Sequence, residues 1–192
     1  MNEPLRVGVL ASGRGSNLGA ILDACARLEF PARVVVVISD RERAAVLDRA
    51  RAAGVPAVFV NPKDFADREE FDLALVRELE RHRVGLVCHA GYMRILSAPY
   101  VQAFTGRALN IHPSLLPAFP GLHAQQQALD HGAKVSGATV LQACVPVLET
   151  DTEETLSARI LAEEHRLYPE AIRLFALGKL ALQGRRVVVD VS

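Results

Sequence analysis

The most constraining feature of the sequence is an unbroken run of mostly β-branched residues at positions 33–39 (RVVVVIS). Continuous apolar strands of this kind are buried on both faces, as in parallel sheets covered by helices. Shorter apolar runs at 5–10, 57–60 and 84–90 alternate with helical patterns, and repeated strand–helix units wind right-handedly into a parallel sheet. The sequence therefore predicts an α/β fold with a doubly wound, mostly parallel sheet, as one domain over residues 1–192.

Helical periodicity and capping residues place the other elements. The Arg/Ala-rich stretch 40–53 predicts a helix, and Asp67 predicts the N-cap of another. Asp151 or Thr152 is expected to cap a long C-terminal helix that continues past Pro169 to Phe175. The remaining predictions are helices at 97–104 and 123–130, strands at 135–140 and 141–146, and a hairpin at 180–191 turning at Gln183-Gly184.

Composition limits the classes of partner. The chain has 22 basic and 22 acidic residues, so no excess charge favours nucleic acid or a membrane surface. Cys25, Cys88 and Cys144 are odd in number and far apart, which indicates reduced thiols in apolar surroundings and neither a disulfide framework nor a zinc site. Since no secretory leader or membrane-spanning run is evident, we expect a cytoplasmic protein with no membrane or nucleic-acid partner.

A glycine-containing turn follows the first strand. The loop at residues 11–17 (ASGRGSN) opens into a helical pattern, and backbone N–H groups at a helix N-terminus form a phosphate site. The dinucleotide fingerprint needs a third glycine where this chain has Leu18, so that template fails. Ser16 and Asn17 add side-chain donors suited to a phosphate monoester. An ordinary tight turn that caps a helix is the alternative.

A second candidate segment follows the fourth strand. Met93, Ile95 and Leu96 could wall a slot for a heteroaromatic ring whose edge bonds main-chain amides, although three apolar residues are equally typical of core packing. Arg68 lies in the first turn of a helix, where a cation opposes the dipole. On the sequence pattern alone it is a solvated surface arginine.

The third candidate is the pair Asn110 and His112. Two residues apart in an extended segment, they point to the same face, and Pro113 ends the strand after them. Three prolines and a glycine in the following residues predict a stiff loop. An amide N–H and an imidazole suit stabilisation of an oxyanion in acyl transfer. A structural pair without catalytic function is the alternative.

The stretch Asn-Ile-His-Pro-Ser-Leu-Leu-Pro at 110–117, followed by Pro120-Gly121, resembles the signature of the folate-dependent formyltransferases, and the whole chain is similar to the phosphoribosylglycinamide formyltransferases. The resemblance implies a Rossmann-like fold and transfer of a formyl group from 10-formyltetrahydrofolate, a cosubstrate, to the amine of 5-phosphoribosylglycinamide in purine synthesis, without a metal. It leaves a homodimer open. It implies that the catalytic residues are Asn110 and His112. The residues that it implies contact the phosphoribosylglycinamide are Gly15, Ser16, Asn17 and Glu164. Those that it implies contact the folate are Arg68, Met93, Arg94, Ile95, Leu96 and Asn110.

The sequence departs from the family pattern at Val140-Leu141. Members of the family have a loop here that carries an Asp beside the catalytic histidine, and this chain has none. Because Val140-Leu141 contains no typical turn residue, we expect a straight run here and a mobile, Asp-bearing loop missing from the given sequence. A direct connection would instead favour an inactive folate- or nucleotide-binding homologue. A methionyl-tRNA formyltransferase would need a tRNA-binding domain and usually a basic surface, and this chain has neither.

Overall fold

The computed structural model describes residues 3–184 and 186–190. Its main sheet has five strands in the order β3-β2-β1-β4-β5, and every neighbouring pair is parallel. The strands are β1 (Leu5–Leu10), β2 (Ala32–Ser39), β3 (Ala57–Phe59), β4 (Leu86–His89) and β5 (Ala108–Asn110). The predicted parallel α/β sheet is confirmed. The strand order reverses between β1 and β4, which makes the carboxyl ends of these two strands the expected ligand-binding edge.

The helices follow the strands as the repeated pattern predicts. They are α1 (Ser16–Cys25), α2 (Ala45–Ala52), α3 (Arg68–Arg81), α4 (Ala98–Ala103), α5 (Ala124–Asp130) and α6 (Glu153–Ala176), with a 3-10 turn at Pro62–Asp64. Asp67 caps α3 as predicted, since its Oδ1 accepts the Glu70 N–H at 2.9 Å. Right-handed crossovers put α1 and α2 on one face of the sheet and α3 on the other.

The core beside α3 explains why the sheet residues are so apolar. Val36, Ile38 and Val87 of the sheet pack with Phe71 and Leu79 of α3, and all five are at most 1% exposed. Helix and strand approach closely at Gly8, where an added Cβ would lie 2.6 Å from Leu79 Cδ2. Burial of these side chains is the main stabilising contribution in this part of the molecule.

The chain divides into two compact units, residues 1–110 with 172–192, and residues 111–171. The first contains the main sheet and an antiparallel hairpin, β8 (Leu180–Gln183) with β9 (Arg186–Val189). This is the predicted C-terminal hairpin, although Arg185 and Val191 lie outside the described residues. The second contains α5, most of α6 and the antiparallel pair β6 (Val135–Thr139) and β7 (Gln142–Pro146). A single domain over residues 1–192 stays a prediction.

Helix α2 begins later than its composition suggests. The prediction was a helix from Asp40, but the helix starts at Ala45. Residues 40–44 form turns, in which the Arg41 N–H donates to Ser39 Oγ at 3.1 Å and the Ala44 N–H donates to the Arg41 carbonyl at 3.2 Å. The Val46 N–H then donates to the Gly13 carbonyl at 3.1 Å. The glycine loop therefore fixes where the helix begins, a tertiary contact that overrides local propensity.

The expectation of a straight run at Val140-Leu141 was wrong. Thr139 pairs with Gln142, so Val140 and Leu141 alone make the connection of an antiparallel hairpin, and the chain is continuous there. Neither residue has a positive φ, so the turn does not need glycine or asparagine. Side chains next to the turn add support, because Gln142 Nε2 donates to the Leu116 carbonyl at 2.9 Å.

Candidate active site

The glycine loop lies at the carboxyl end of β1, as predicted, and Gly15 precedes the first residue of α1. Gly15 has φ 74°, and a Cβ there would lie 2.7 to 2.9 Å from the Cγ2, Cβ and Cα atoms of Val46. Glycine is therefore required by both backbone conformation and packing. Asn17 is buried, whereas Ser16 is partly exposed. The accessible donors are the Ser16 hydroxyl and the first N–H groups of α1, which have no partner within a helix.

The residues Met93–Leu96, which we call the ring segment, follow β4 at the neighbouring strand end. Met93 is 58% exposed and Ile95 is 79% exposed, so these two side chains do not pack in the core. Among the described residues, no hydrogen bond involves the main-chain groups of Arg94, Ile95 or Leu96. The segment thus offers apolar side chains beside unpaired amide and carbonyl groups, the combination that the edge of a heteroaromatic ring requires.

Two predicted arginines lie near the start of α3. Arg68 is the first residue of the helix and is exposed. The Arg94 guanidinium lies over the ring of Phe71, 5.0 Å from its centroid. Since Arg68 and Phe71 are three residues apart, they lie on the same helix face. The two guanidinium groups therefore lie by the same part of α3, together with the carboxylates of Asp67, Glu69 and Glu70 in its cap and first turn.

Ser12 connects the glycine loop to the stretch that contains the ring segment, and sequence reasoning missed it. Its N–H donates to the Gly91 carbonyl at 3.0 Å, and its Oγ accepts the Met93 N–H at 3.0 Å. Its position directly after a strand that precedes a glycine loop is a signal that could have singled it out. The structure thus brings Gly15, Ser16 and Asn17 to the same sheet edge as the ring segment.

Asn110 ends β5 at the same edge, where it is exposed and pairs in register with His89 of β4. His89 was not singled out from the sequence. Its Nε2 lies 2.9 Å from the Tyr100 hydroxyl, and both side chains are buried. Burial lowers the pKa of His89 to about 4 and raises the pKa of Tyr100. The pair is therefore uncharged at neutral pH.

His112 lies in the second unit, where the hairpin and the proline loop hold it. Its N–H donates to the Thr139 carbonyl at 3.0 Å, and its carbonyl accepts the Thr139 N–H at 2.8 Å. Its Nε2 lies 3.0 Å from the Phe119 carbonyl oxygen. Because a carbonyl can only accept, Nε2 carries the proton of the neutral ring and Nδ1 keeps its lone pair. His112 can therefore accept a proton at Nδ1 and afterwards return it from the same atom.

The proline loop after His112 is tied by side-chain bonds, in agreement with the predicted stiffness. Ser114 Oγ donates to the Ala118 carbonyl at 2.6 Å, and Thr139 Oγ1 donates to the Ser114 carbonyl at 2.7 Å. None of the ion pairs found in residues 3–184 and 186–190 involves His112.

Glu164 lies on α6 and is 7% exposed. Glu164 is therefore not an ordinary surface carboxylate. A buried carboxylate requires hydrogen-bonding or charged partners, and Glu164 has such a contact. The contact of Glu164 with ribose hydroxyls stays a prediction.

Cys25, Cys88 and Cys144 form no disulfide with one another. Cys144 is exposed, so the prediction of apolar surroundings is wrong for this residue. Burial raises the pKa of the Cys25 thiol to about 11, which makes it a poor nucleophile at neutral pH. Within the described ranges, no three His, Cys, Asp or Glu side chains cluster as metal ligands would. None of the described helices is long and apolar enough to cross a membrane.

Comparisons with known proteins point to one family. Residues 5–172 match the family model described as formyl transferase. The chain is 40% identical to phosphoribosylglycinamide formyltransferase of Escherichia coli K12 over 199 residues, covering 97% of this chain and 94% of that protein. It is 47% identical to the trifunctional purine biosynthetic protein adenosine-3 of Drosophila pseudoobscura over 91% of this chain, but spans only 14% of that protein.

Solved structures show the same likeness. The crystal structure of glycinamide ribonucleotide transformylase 1 from Symbiobacterium toebii superposes with a TM-score of 0.95 at 55% identity, covering 98% of this chain and 95% of that one. The 199-residue stretch aligned with the E. coli protein is longer than this 192-residue chain. That relative therefore has residues that this chain lacks.

Proposed function

Because the chain belongs to the formyl transferase family, we propose that it transfers a formyl group from 10-formyltetrahydrofolate to the amine of 5-phosphoribosylglycinamide. The observation that carries this proposal is the placement of the glycine loop and the ring segment at the carboxyl ends of the adjacent strands β1 and β4. This edge of a doubly wound sheet is where such folds bind ligands. The substrates are small molecules, the reaction uses no metal, and the site of action is the cytoplasm. A homodimer stays a prediction.

The two ligands would use different parts of this edge. The phosphate of the acceptor would bind the N–H groups and Ser16 hydroxyl at the start of α1, with Gly15 and Asn17 shaping the loop and Glu164 holding the ribose hydroxyls. The folate ring would lie on the ring segment, with Asn110 also in contact. Its carboxylate tail would face Arg68 and Arg94. The unpaired main-chain groups at 94–96 support this assignment.

The reaction needs a hydrogen-bond donor to the formyl oxygen and a route for one proton. The acceptor amine attacks the formyl carbon, the bond from that carbon to N10 of the folate breaks, and a proton passes from the amine to N10. The Asn110 amide would donate to the oxygen as it becomes negative, and removing one such donor costs about 3–4 kcal/mol of barrier. His112 would take up or release the proton through Nδ1, because Phe119 holds Nε2.

A second candidate function is a folate- and nucleotide-binding protein without turnover. The observation in its favour is the closed hairpin at Val140-Leu141, where the family pattern has an Asp-bearing loop. The family pattern places that Asp beside the catalytic histidine, and no ion pair among the described residues involves His112.

Turnover by the purified 192-residue chain tests the proposal directly. We expect tetrahydrofolate to form only when both 10-formyltetrahydrofolate and phosphoribosylglycinamide are present, and His112→Ala to lower kcat about 100- to 1000-fold with little change in stability. His82→Ala is the control, since that imidazole lies at the C-terminal end of α3 and bonds Glu78 of the same helix at 3.2 Å. Binding of both ligands without turnover would establish the second candidate instead.

A further inference from the structure

We infer that Ser12 is a positioning residue for the folate ring, a role that rests on the proposed function. Ser12 is 3% exposed and forms two hydrogen bonds to the segment after β4, one from its N–H to the Gly91 carbonyl and one from the Met93 N–H to its Oγ, both at 3.0 Å. The second bond depends on the side chain and joins residues 81 positions apart. It fixes the first residue of the ring segment against the end of β1.

The ring segment has one further anchor at its other end. The Ser97 N–H donates to Asp72 Oδ2 at 2.5 Å, and Asp72 is fully buried on α3. Residues 94–96 between the anchors form no main-chain hydrogen bond with the described residues. The two end bonds, together with the packing of Arg94 on Phe71 and of Leu96 on the core, hold the direction of their N–H and C=O groups. Loss of one anchor therefore increases the entropy lost when a ring binds.

The glycine loop does not depend on the Ser12 hydroxyl. The Gly13 carbonyl accepts the Val46 N–H at 3.1 Å, the Gly15 carbonyl accepts the Gly19 N–H at 3.0 Å, and Gly15 packs directly on Val46. These contacts attach the loop to α1 and α2. Removing the Ser12 hydroxyl should therefore disturb the ring segment and leave the phosphate loop in place.

The chain offers a matched control at the opposite end of the segment. Ser97 is 4% exposed, and its Oγ has no hydrogen-bond partner among the described residues. Ser97→Ala removes an equally buried hydroxyl that anchors nothing, while its main-chain bond to Asp72 remains. Ser12→Cys is a second test variant, because it nearly preserves volume but replaces the oxygen with a weak acceptor.

The experiment measures ligand affinity and exchange of the Met93 amide proton in the wild type and the three variants. For Ser12→Ala we expect the dissociation constant of tetrahydrofolate to rise about tenfold, as loss of one buried hydrogen bond predicts, and that of phosphoribosylglycinamide to stay within about twofold. The Met93 amide should exchange about tenfold faster. Ser12→Cys should change both quantities in the same direction, and Ser97→Ala should match the wild type.

The other possible results separate failure of the Ser12 inference from failure of the proposed function. Wild-type tetrahydrofolate affinity in both Ser12 variants overturns the inference, and so does equal weakening of both ligands, which would mean a general structural role. If the wild type itself binds no tetrahydrofolate, the proposed function fails. In that case unchanged Met93 exchange in Ser12→Ala would refute the anchor, and faster exchange would establish it independently of ligand. Should Ser12→Ala not fold, Ser12→Cys gives the same decision.

Discussion

His89 and Tyr100 form a polar pair inside an apolar part of the first unit, beneath the segment that contains the proposed folate site. Tyr100 is 1% exposed and also packs on Phe104, with 5.2 Å between ring centroids. The cost of burying an imidazole falls on its charged form, which is why the pKa of His89 drops to about 4. The His89 imidazole therefore stays uncharged throughout the physiological pH range.

This shift predicts acid sensitivity. The unfolded chain takes up a proton at His89 near pH 6.5, whereas the folded chain does so only near pH 4, so stability falls as pH falls through that window. Between pH 7 and pH 5 the loss from this residue is about 2 kcal/mol. We expect urea unfolding at both pH values to show a smaller loss in the double variant His89→Leu/Tyr100→Phe. Its free energy of unfolding should fall by about 2 kcal/mol less than that of the wild type. An identical loss in both proteins would show that His89 is not buried in its neutral form.

At the scale of elements, one side chain connects α6 to the hairpin of β6 and β7. Arg159 donates to both carboxylate oxygens of Asp151, at 2.7 and 2.9 Å, and to the Pro146 carbonyl at the end of β7, at 2.8 Å. Asp151 also accepts the Leu148 N–H at 2.8 Å. The bonds from Arg159 hold the pKa of Asp151 below its usual range, with the Leu148 N–H as the second cause. Thr152 caps the helix itself, since its Oγ1 accepts the Thr155 N–H at 3.3 Å.

We expect Arg159→Gln to lower the free energy of unfolding at pH 7. Because the pKa of Asp151 is depressed in the folded state, its contribution is present above the unfolded value near 3.8 and is lost as pH falls below it. The difference between variant and wild type should therefore shrink below about pH 4. Arg166→Gln is the control on the same helix. It breaks an exposed pair with Glu163 and should change stability by less than about 1 kcal/mol.

At the scale of the whole molecule, the question is whether the two compact units unfold together. The first unit is discontinuous in sequence, and α6 contributes residues to both units without a break. When the first half of a helix unfolds, the first N–H groups of its second half lose their carbonyl partners, which couples the units. This coupling favours the one-domain organisation predicted from length and composition.

Calorimetry should accordingly show a single transition, with equal calorimetric and van't Hoff enthalpies of roughly 130 kcal/mol near 60 °C for a chain of this length. Tetrahydrofolate should move that one transition to higher temperature, since it binds only the folded state. Two resolved transitions would mean that residues 111–171 form an independent domain. A shift of only one of two transitions would show which unit binds the folate.

The sequence by itself determined the parallel sheet, most element boundaries and the position of the glycine loop. Those features depend on local periodicity, turn chemistry and capping, such as the β-branched run in β2 and Asp67 at the start of α3. The resemblance carried by residues 110–121 supplied the family, which the comparisons confirm. The roles of single site residues stay predictions.

Only the tertiary structure decided the contacts between residues distant in sequence. The Gly13 carbonyl sets the start of α2, the Phe119 carbonyl selects the His112 tautomer, and the Ser12 hydroxyl anchors Met93. Val140-Leu141 carries no turn signal, yet it closes a hairpin because β6 and β7 pair in register on either side of it. Sequence patterns report the neighbours of a residue along the chain. Hydrogen-bond partners, burial and the resulting pKa of a group such as His89 depend on neighbours that folding supplies.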